Sequence, residues 1–295
     1  MKKSIKRLPK RTQEELNALL ELIRQYVDYA HMVILYGSYA RGNYVLWDSK
    51  VEFGVKTSYQ SDYDILIIVS TSNLKSIQQR LERVAAKYHK LFENRRHASP
   101  QFVIENINKV NRKLEVSQYF FTDIAKYGIM LHNDEKYLLT KPRELKYEEI
   151  RDIAQKEFDV CHPYGCNFLT TSYFNLEHNM LKECAFILHQ ACEKFYNSIL
   201  LVFTNYQPKN HKINELAGMV KRFSREVVTV FPQNTDFEKE CFDLLCRAYI
   251  EARYDMDFQV TREQLKYIQT RLEVLKDISY RVCTEKIDSY QNLIK

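Results

Sequence analysis

Residues 63–69, with the sequence YDILIIV, form an almost uninterrupted run of apolar and β-rich residues. Seven residues are too few to cross a membrane, and polar residues bound the run on both sides. A short apolar run of this kind predicts a strand that is buried on both of its faces. We therefore expect a central strand of a sheet here, and we assign the other elements around it.

Helical spacing of apolar residues in segments 12–29 and 76–92 alternates with short strand patterns in segments 31–36 and 101–105. With a further helix that starts at Gly37 and Ser38 and the strand at residues 63–69, the resulting order is helix, strand, helix, strand, helix, strand. Residues 113–130 predict a further helix that ends at Gly128, and the stretch LHNDEKYLLTKPREL predicts a hairpin followed by an exit near a proline.

Strand patterns vanish after residue 147, and four segments carry helical apolar spacing: 181–202, 212–223, 237–254 and 262–293. Short polar connections between them predict an antiparallel bundle. The fold class is therefore an α+β domain with a mixed sheet and helices at residues 1–142, followed by an all-α bundle at residues 143–295.

The composition excludes a small module or a disordered chain, because 45% of the 295 residues are hydrophobic and Gly and Pro are few. A net charge of +6, spread along the chain, permits an anionic partner such as a nucleotide. No apolar stretch approaches 18 residues, and the seven cysteines follow no disulfide spacing. We expect a cytoplasmic protein that does not bind membranes.

The segment GSYARGNY places two of the six glycines, Gly37 and Gly42, directly after an apolar strand. Bare backbone N–H groups at such a turn suit a phosphate, although glycine also serves simple turn geometry. The spacing matches neither the dinucleotide fingerprint nor the P-loop.

Asp62 and Asp64 in SDYDILIIV stand at i and i+2, on one face at the entrance of the central strand. Two carboxylates about 6 to 7 Å apart repel each other unless a cation lies between them. Divalent metal ions shared by such a pair and a triphosphate favour in-line displacement.

GSYARG followed by a strand that begins with DYD resembles the minimal nucleotidyltransferases of the DNA polymerase beta superfamily. The resemblance implies that Gly37 and Ser38 hold the nucleotide's phosphates with Arg41 nearby. It implies that Asp62 and Asp64 bind Mg²⁺, with two ions expected, and that a nucleoside triphosphate is the substrate.

The sequence departs from that family in two ways. About ten residues usually separate the Gly-Ser pair from the first aspartate, whereas residues 39–61 intervene here, which implies an inserted hairpin through VEFGVKTSYQ. The third catalytic carboxylate is unassigned by the motif. Glu105, at the end of the next predicted strand, is the candidate that could complete the metal site or accept a proton, and a plain strand-end glutamate is the alternative.

The second half, with FILHQACEKFYNSIL, NHKINEL and AYIEARYD, resembles the HEPN domain, a helical bundle often fused to minimal nucleotidyltransferases. Polar residues of this half that could touch a nucleotide or an acceptor are His189, His211, Lys212, Arg247 and Arg253, and ordinary solvated helix residues are the alternative. Ribonuclease HEPN domains carry an arginine, then four to six further residues, then a histidine, and the bundle lacks this motif. CHPYGC at residues 161–166 is interpreted as buried thiols in a connecting segment, with a zinc site as the alternative.

Together these patterns predict an enzyme that transfers a nucleoside monophosphate, with AMP expected, to an acceptor hydroxyl group. The acceptor is a protein, an RNA or a small molecule such as an aminoglycoside. The alternative is a nucleotide-binding regulatory or toxin–antitoxin-type module without transferase activity. Association of two copies through the bundle is left open.

Overall fold

The computed structural model describes residues 1–52, 55–208 and 211–294, without the side chains of residues 49–59. It divides into two compact units, residues 1–49 with 58–144 and residues 50–57 with 145–295. The first unit contains a small mixed sheet with helices, and the second is largely helical. The described helices include none that is both long and apolar enough to span a bilayer.

The first unit is built on a four-stranded sheet with the strand order β5-β4-β1-β6. Its strands are β1 (Met32–Tyr36), β4 (Tyr63–Val69), β5 (Pro100–Asn106) and β6 (Ile129–Asn133), and its helices are α1 (Lys10–Tyr26), α2 (Gly37–Arg41), α3 (Leu74–Leu91), α4 (Ile107–Glu115) and α5 (Tyr119–Tyr127). β1 runs antiparallel to β4 and β6, whereas β4 and β5 are parallel.

The central strand β4 is buried at all seven positions, as its apolar sequence predicted. Leu19 and Ile23 of α1 and Leu81 of α3 form one core with Ile65 and Ile67 of β4. The two helices therefore cover one face of the sheet, and burial of β4 from both sides explains why it does not alternate between polar and apolar residues.

The prediction of one helix over residues 113–130, followed by a hairpin, was wrong. Ser117 has a φ of 52°, which breaks the segment into α4 and α5. Ile129–Asn133 then pairs with β1 as an edge strand, and residues 134–146 contain neither helix nor strand. Pairing with the sheet, which a local pattern does not reveal, decides the conformation of this segment.

The inserted hairpin is confirmed as a separate two-stranded sheet, made of β2 (Asp48–Glu52) and β3 (Val55–Tyr59). In the sequence the hairpin lies between α2 and β4. It therefore separates the element with the Gly-Ser turn from the strand with the aspartates.

The second unit is a bundle of α6 (Tyr147–Glu177), α7 (Leu181–Thr204), α8 (Ile213–Val220), α9 (Asp236–Tyr254) and α10 (Arg262–Gln291), with a 3-10 turn at Arg225–Thr229. α7 is buried along most of its length and contacts the other four helices. CHPYGC is not a connecting segment, because α6 runs through it with Pro163 inside the helix.

Candidate active site

The Gly-Ser turn joins β1 to the short helix α2, and both of its glycines have backbone angles that favour glycine. Gly37 has a φ of 70° and Gly42 a φ of 93°, where a side chain is strained. The carbonyl of Ser38 accepts hydrogen bonds from the N–H groups of Gly42 at 2.8 Å and Asn43 at 3.1 Å. The two glycines thus let the chain enter and leave a single helical turn.

Asp64 lies directly against this turn. Tyr36, the last residue of β1, pairs with Asp64 of β4. A Cβ atom added to Gly37 would lie 2.1 Å from Oδ2 of Asp64, which is much closer than two such atoms can approach. The buried carboxylate, only 6% exposed, therefore occupies the space that the absent side chain of Gly37 leaves.

Asp62 is more exposed than Asp64, and alternation along an extended chain places both carboxylates on one side. The charge of Asp62 acts on Tyr39 of α2: burial, then Glu15, Tyr44 and Asp62, raise the pKa of Tyr39, whereas its hydrogen bond with Tyr63 opposes the shift. The structure thus places Gly37 directly against Asp64, with Asp62 two residues earlier in the chain.

Two hydrogen bonds between Val45 and Ser61 close the chain at the base of the inserted hairpin. They shorten the path between the Gly-Ser turn and the aspartates. The N–H of Val45 donates to Oγ of Ser61 at 2.9 Å, and the N–H of Ser61 donates to the Val45 carbonyl, also at 2.9 Å. Residues 46–60 are thereby looped out, and the path from Ser38 to Asp62 shortens to Tyr39 through Val45 plus Ser61.

Arg41 points toward α5. It forms an ion pair with Asp123, and its guanidinium lies 4.7 Å from the centre of the Tyr127 ring. The sequence did not single out Asp123 or Tyr127, because nothing local connects them to Arg41. Contact with a phosphate would require Arg41 to exchange Asp123 for that phosphate.

Two basic residues near the start of the chain hold the other end of α2, and sequence reasoning did not identify them either. Lys2 Nζ donates to the Ala40 carbonyl at 3.0 Å, and Arg7 donates to the same oxygen. The backbone of Lys2 also bonds to Gly128 and Met130 beside β6. Positive charge at a helix C-terminus is favourable, so these contacts stabilise the short helix.

Glu105 is not brought to this site. In the parallel pair of β4 and β5, Gln101 lies opposite Asp64, whereas Glu105 lies opposite Ile68. At roughly 3.3 Å per residue, Glu105 is about 13 Å further along the sheet. It is buried and paired with Lys109 one helical turn away. Parallel pairing, unlike antiparallel pairing, puts the end of β5 far from the start of β4.

The candidate site offers two carboxylates as donors to a metal ion, those of Asp62 and Asp64. Across the described residues, no three His, Cys, Asp or Glu side chains gather in a way that could hold a metal ion. Asp62 and Asp64 form a two-carboxylate set beside a bare backbone. Mg²⁺ is commonly bound by one or two carboxylates together with substrate phosphates, so this set fits Mg²⁺ delivered with a triphosphate.

In the second unit, three of the predicted polar residues gather around Tyr249. His189 is fully buried, donates from Nδ1 to the Leu245 carbonyl at 2.8 Å, and lies 5.3 Å from the Tyr249 ring. The His211 ring stacks on Tyr249 at 4.6 Å, and Arg253 lies 4.3 Å over the same ring. Burial lowers the pKa of His189, so this imidazole is neutral at neutral pH.

Glu193 completes this cluster, although the sequence reasoning missed it. His211 Nδ1 lies 2.9 Å from its carboxylate, which is almost fully buried on α7. A signal was available, since Glu193 follows His189 by four residues and so shares its helix face.

The other two predicted residues make ordinary pairs within one helical turn. Lys212 bonds to Glu215 at 2.9 Å, and Arg247 pairs with Glu251. Pairs at this spacing are typical of exposed helix surfaces. The structure therefore groups His189, His211 and Arg253 and does not add Arg247 to them.

Residues 165–280 match the family model of the HEPN domain. The matched stretch runs from within α6 to within α10 and includes the cluster around Tyr249. The helical region after the sheet therefore matches an all-α domain, in agreement with the resemblance seen in the sequence. No curated protein matches the chain.

Proposed function

We propose that the chain is a magnesium-dependent nucleotidyltransferase that moves a nucleoside monophosphate, with AMP expected, from a triphosphate to an acceptor hydroxyl group. The observation that carries this proposal is the approach of Gly37 to the buried carboxylate of Asp64. A glycine-containing turn after a strand and a pair of carboxylates are each common alone. Their contact supports the proposal, because phosphoryl-type transfer needs a backbone suited to phosphate beside oxygens suited to a cation.

The residues of the site have separate roles in this proposal. Ser38, through its hydroxyl group, and the backbone at Gly37 bind the phosphates. Asp62 and Asp64 hold Mg²⁺, which when bound neutralises negative charge on the phosphates. Arg41 contributes positive charge after releasing Asp123. Catalysis then rests on positioning the donor and acceptor rather than on covalent chemistry by the protein.

The experiment that tests the proposal is incubation of the purified protein with each nucleoside triphosphate and Mg²⁺, followed by release of pyrophosphate and mass spectrometry of added acceptors. Asp62→Asn combined with Asp64→Asn should abolish turnover while the fold survives. Asp28→Asn, on an exposed residue after α1, is the matched control and should retain activity. Unchanged turnover in the double variant would refute the metal assignment.

The variant Glu105→Gln tests whether Glu105 acts as the third catalytic carboxylate, a role that its position opposite Ile68 does not support. Because Glu105 lies about 13 Å along the sheet from the level of Asp64, we expect this variant to keep its turnover per folded molecule. Loss of turnover in a folded Glu105→Gln protein would return the third-carboxylate role to this residue.

A second candidate function is a nucleotide-binding regulatory module without transferase activity. It is favoured by one observation: within the described residues, no third carboxylate joins Asp62 and Asp64. The two candidates differ in outcome. A regulatory module binds a triphosphate in a titration that depends on Asp62 and Asp64 but releases no pyrophosphate with any acceptor.

A further inference from the structure

The second unit contains a cavity of about 480 Å³ between α6 and α10 that the proposed transfer reaction does not use. Its walls include Leu169, Thr170, Lys276 and Tyr280. Two residues of the CHPYGC segment, His162 and Cys166, also line it. A cavity of this size accommodates a small molecule.

Cys166 and His162 form a hydrogen-bonded pair one helical turn apart. Sγ of Cys166 lies 3.6 Å from Nδ1 of His162, and Nε2 of His162 lies 3.2 Å from the carbonyl oxygen of Lys276. A carbonyl oxygen only accepts, so Nε2 carries the ring proton and Nδ1 presents its lone pair to the thiol. The geometry is that of a nucleophile next to a base that a third group orients.

The imidazole is held firmly in this orientation. Three aromatic rings surround it at centroid distances of 5.1 to 5.6 Å: Phe158, Phe195 and Tyr280. The His162 residue is only 6% exposed. Packing therefore fixes which ring nitrogen faces the thiol.

Cys166 differs from the other cysteines of the chain. Five of them are buried, and Cys246 is the second partly exposed thiol. A metal role for the pair is not supported, since the described part of the chain contains no third ligand beside it. What remains is a thiol that is accessible from a cavity and has a base in place.

We propose that Cys166 is a modification site for a low-molecular-mass disulfide, with His162 as the base. The thiol proton moves to Nδ1 of His162 while Cys166 sulfur attacks one sulfur of the disulfide. A mixed disulfide forms, the bond between the two original sulfurs breaks, and the departing thiolate takes the proton from His162. No further oxidant is needed, and a thiol reductant reverses the reaction.

The charges around the cavity suit a disulfide that carries both carboxylate and ammonium groups. α10 presents the Lys276 ammonium, which bonds to Glu273 and lies 3.9 Å from Asp277. Such a ligand can pair its own carboxylate with Lys276 and its ammonium group with the two acids. Glutathione disulfide has this chemistry and serves as the probe.

The pH dependence follows from the same groups. Burial raises the pKa of Cys166, with Glu273 and Asp277 adding to the effect and Lys276 opposing it, so the thiol is protonated at neutral pH. Burial lowers the pKa of His162, although the Lys276 carbonyl and Asp277 oppose the shift, so its imidazole is neutral there. From α10, Tyr280 also faces the ring, and from α7 Phe195 faces it. A protonated thiol beside a neutral imidazole is the reactant state that base catalysis requires.

The test is a time course of the full chain with glutathione disulfide at neutral pH, with all seven cysteines quantified by mass spectrometry. Cys166 should be modified first, and Cys246 more slowly. His162→Gln keeps a donor toward Lys276 but has no basic nitrogen, and it should slow modification of Cys166 about tenfold or more while leaving Cys246 unchanged. His178→Gln, which alters an exposed histidine at the C-terminal end of α6, is the matched control and should have no effect.

Two further measurements use the unaltered protein and therefore do not depend on whether His162→Gln folds. In the unaltered protein, the rate at Cys166 should fall as the pH drops through the lowered pKa of the imidazole. Iodoacetamide, an uncharged electrophile, should also select Cys166 over Cys246, but by a smaller factor than glutathione disulfide. Modification of Cys246 at the same rate or faster, or a Cys166 rate that follows only the pKa of the thiol itself, would overturn the proposal.

Discussion

Substitution of Gly37 by alanine tests the contact on which the candidate site depends. The new Cβ would lie 2.1 Å from Oδ2 and 3.0 Å from Cγ of Asp64. Gly42→Ala is the matched control, because Gly42 also has a positive φ but nothing lies within 4 Å of its added Cβ. The two variants share backbone strain, and only the first has a steric conflict with the carboxylate.

The expected magnitudes follow from these two terms. A left-handed conformation costs a non-glycine residue about 1–2 kcal/mol. Both variants therefore have a free energy of unfolding that is lower by this amount. Forcing a methyl group into filled space costs about 1–3 kcal/mol more. Gly37→Ala should therefore destabilise the first unit by about 2–5 kcal/mol, and Gly42→Ala by about 1–2 kcal/mol.

Urea denaturation followed by tryptophan fluorescence measures this difference in the first unit, because Trp47 is the only tryptophan and lies there. Asp64→Ala removes Oδ2 and Cγ and leaves Cβ of residue 64 at 3.3 Å from the added methyl group. In that background, the cost of Gly37→Ala should fall to the value for Gly42→Ala. The reasoning is refuted if the two glycine variants are equally stable, or if the excess cost persists without the Asp64 carboxylate.

Three further predictions concern the helical unit. Gly165→Ala should lower the free energy of unfolding by about 1–2 kcal/mol, because the added Cβ would lie 2.6 Å from the Phe195 ring. The better helix propensity of alanine offsets only part of this steric conflict. An unchanged melting temperature would contradict this packing. His189 is buried with a lowered pKa, so its contribution to stability is complete above the usual value of 6.5 and is lost as the pH falls toward the lowered pKa. His189→Asn, which keeps a donor toward Leu245, should flatten that part of the urea-denaturation pH profile, and a profile identical to the parent's would count against it. The full chain should leave RNA intact in the presence of chelator, since Arg253 has no histidine at the ribonuclease spacing; cleavage that disappears in Arg253→Ala would prove the opposite.

Much of the first unit could be predicted because its strands are apolar runs and its helices have regularly spaced apolar residues. The prediction of a strand at residues 63–69 is confirmed, and the two-stranded hairpin was inferred from a spacing that was too long. The contact between Gly37 and Asp64 follows from antiparallel pairing of β1 with β4, which a linear pattern does not specify.

The failures have a common physical cause, which is that pairing and packing between distant segments override local patterns. Glu105 was placed by strand end alone, and the parallel register of β5 moved it away from the aspartates. CHPYGC was interpreted as part of a connecting segment, yet α6 continues through it, and its buried residues pack against α7. Tyr249 organises the cluster with His189, although it carries no charge and no motif that would have drawn attention to it.

The hydrogen bonds between Val45 and Ser61 make the inserted hairpin a module that can be exchanged. Replacing the 15 residues 46–60 by a four-residue turn would change the loop-closure free energy by only about 1.2 kcal/mol, at about 0.6 kcal/mol for each halving of length. We expect the distance between the turn and the aspartates to stay the same as long as Val45 and Ser61 remain bonded to each other. In evolutionary terms, this is a position where a chain can gain, lose or replace an accessory segment without rebuilding its candidate active site.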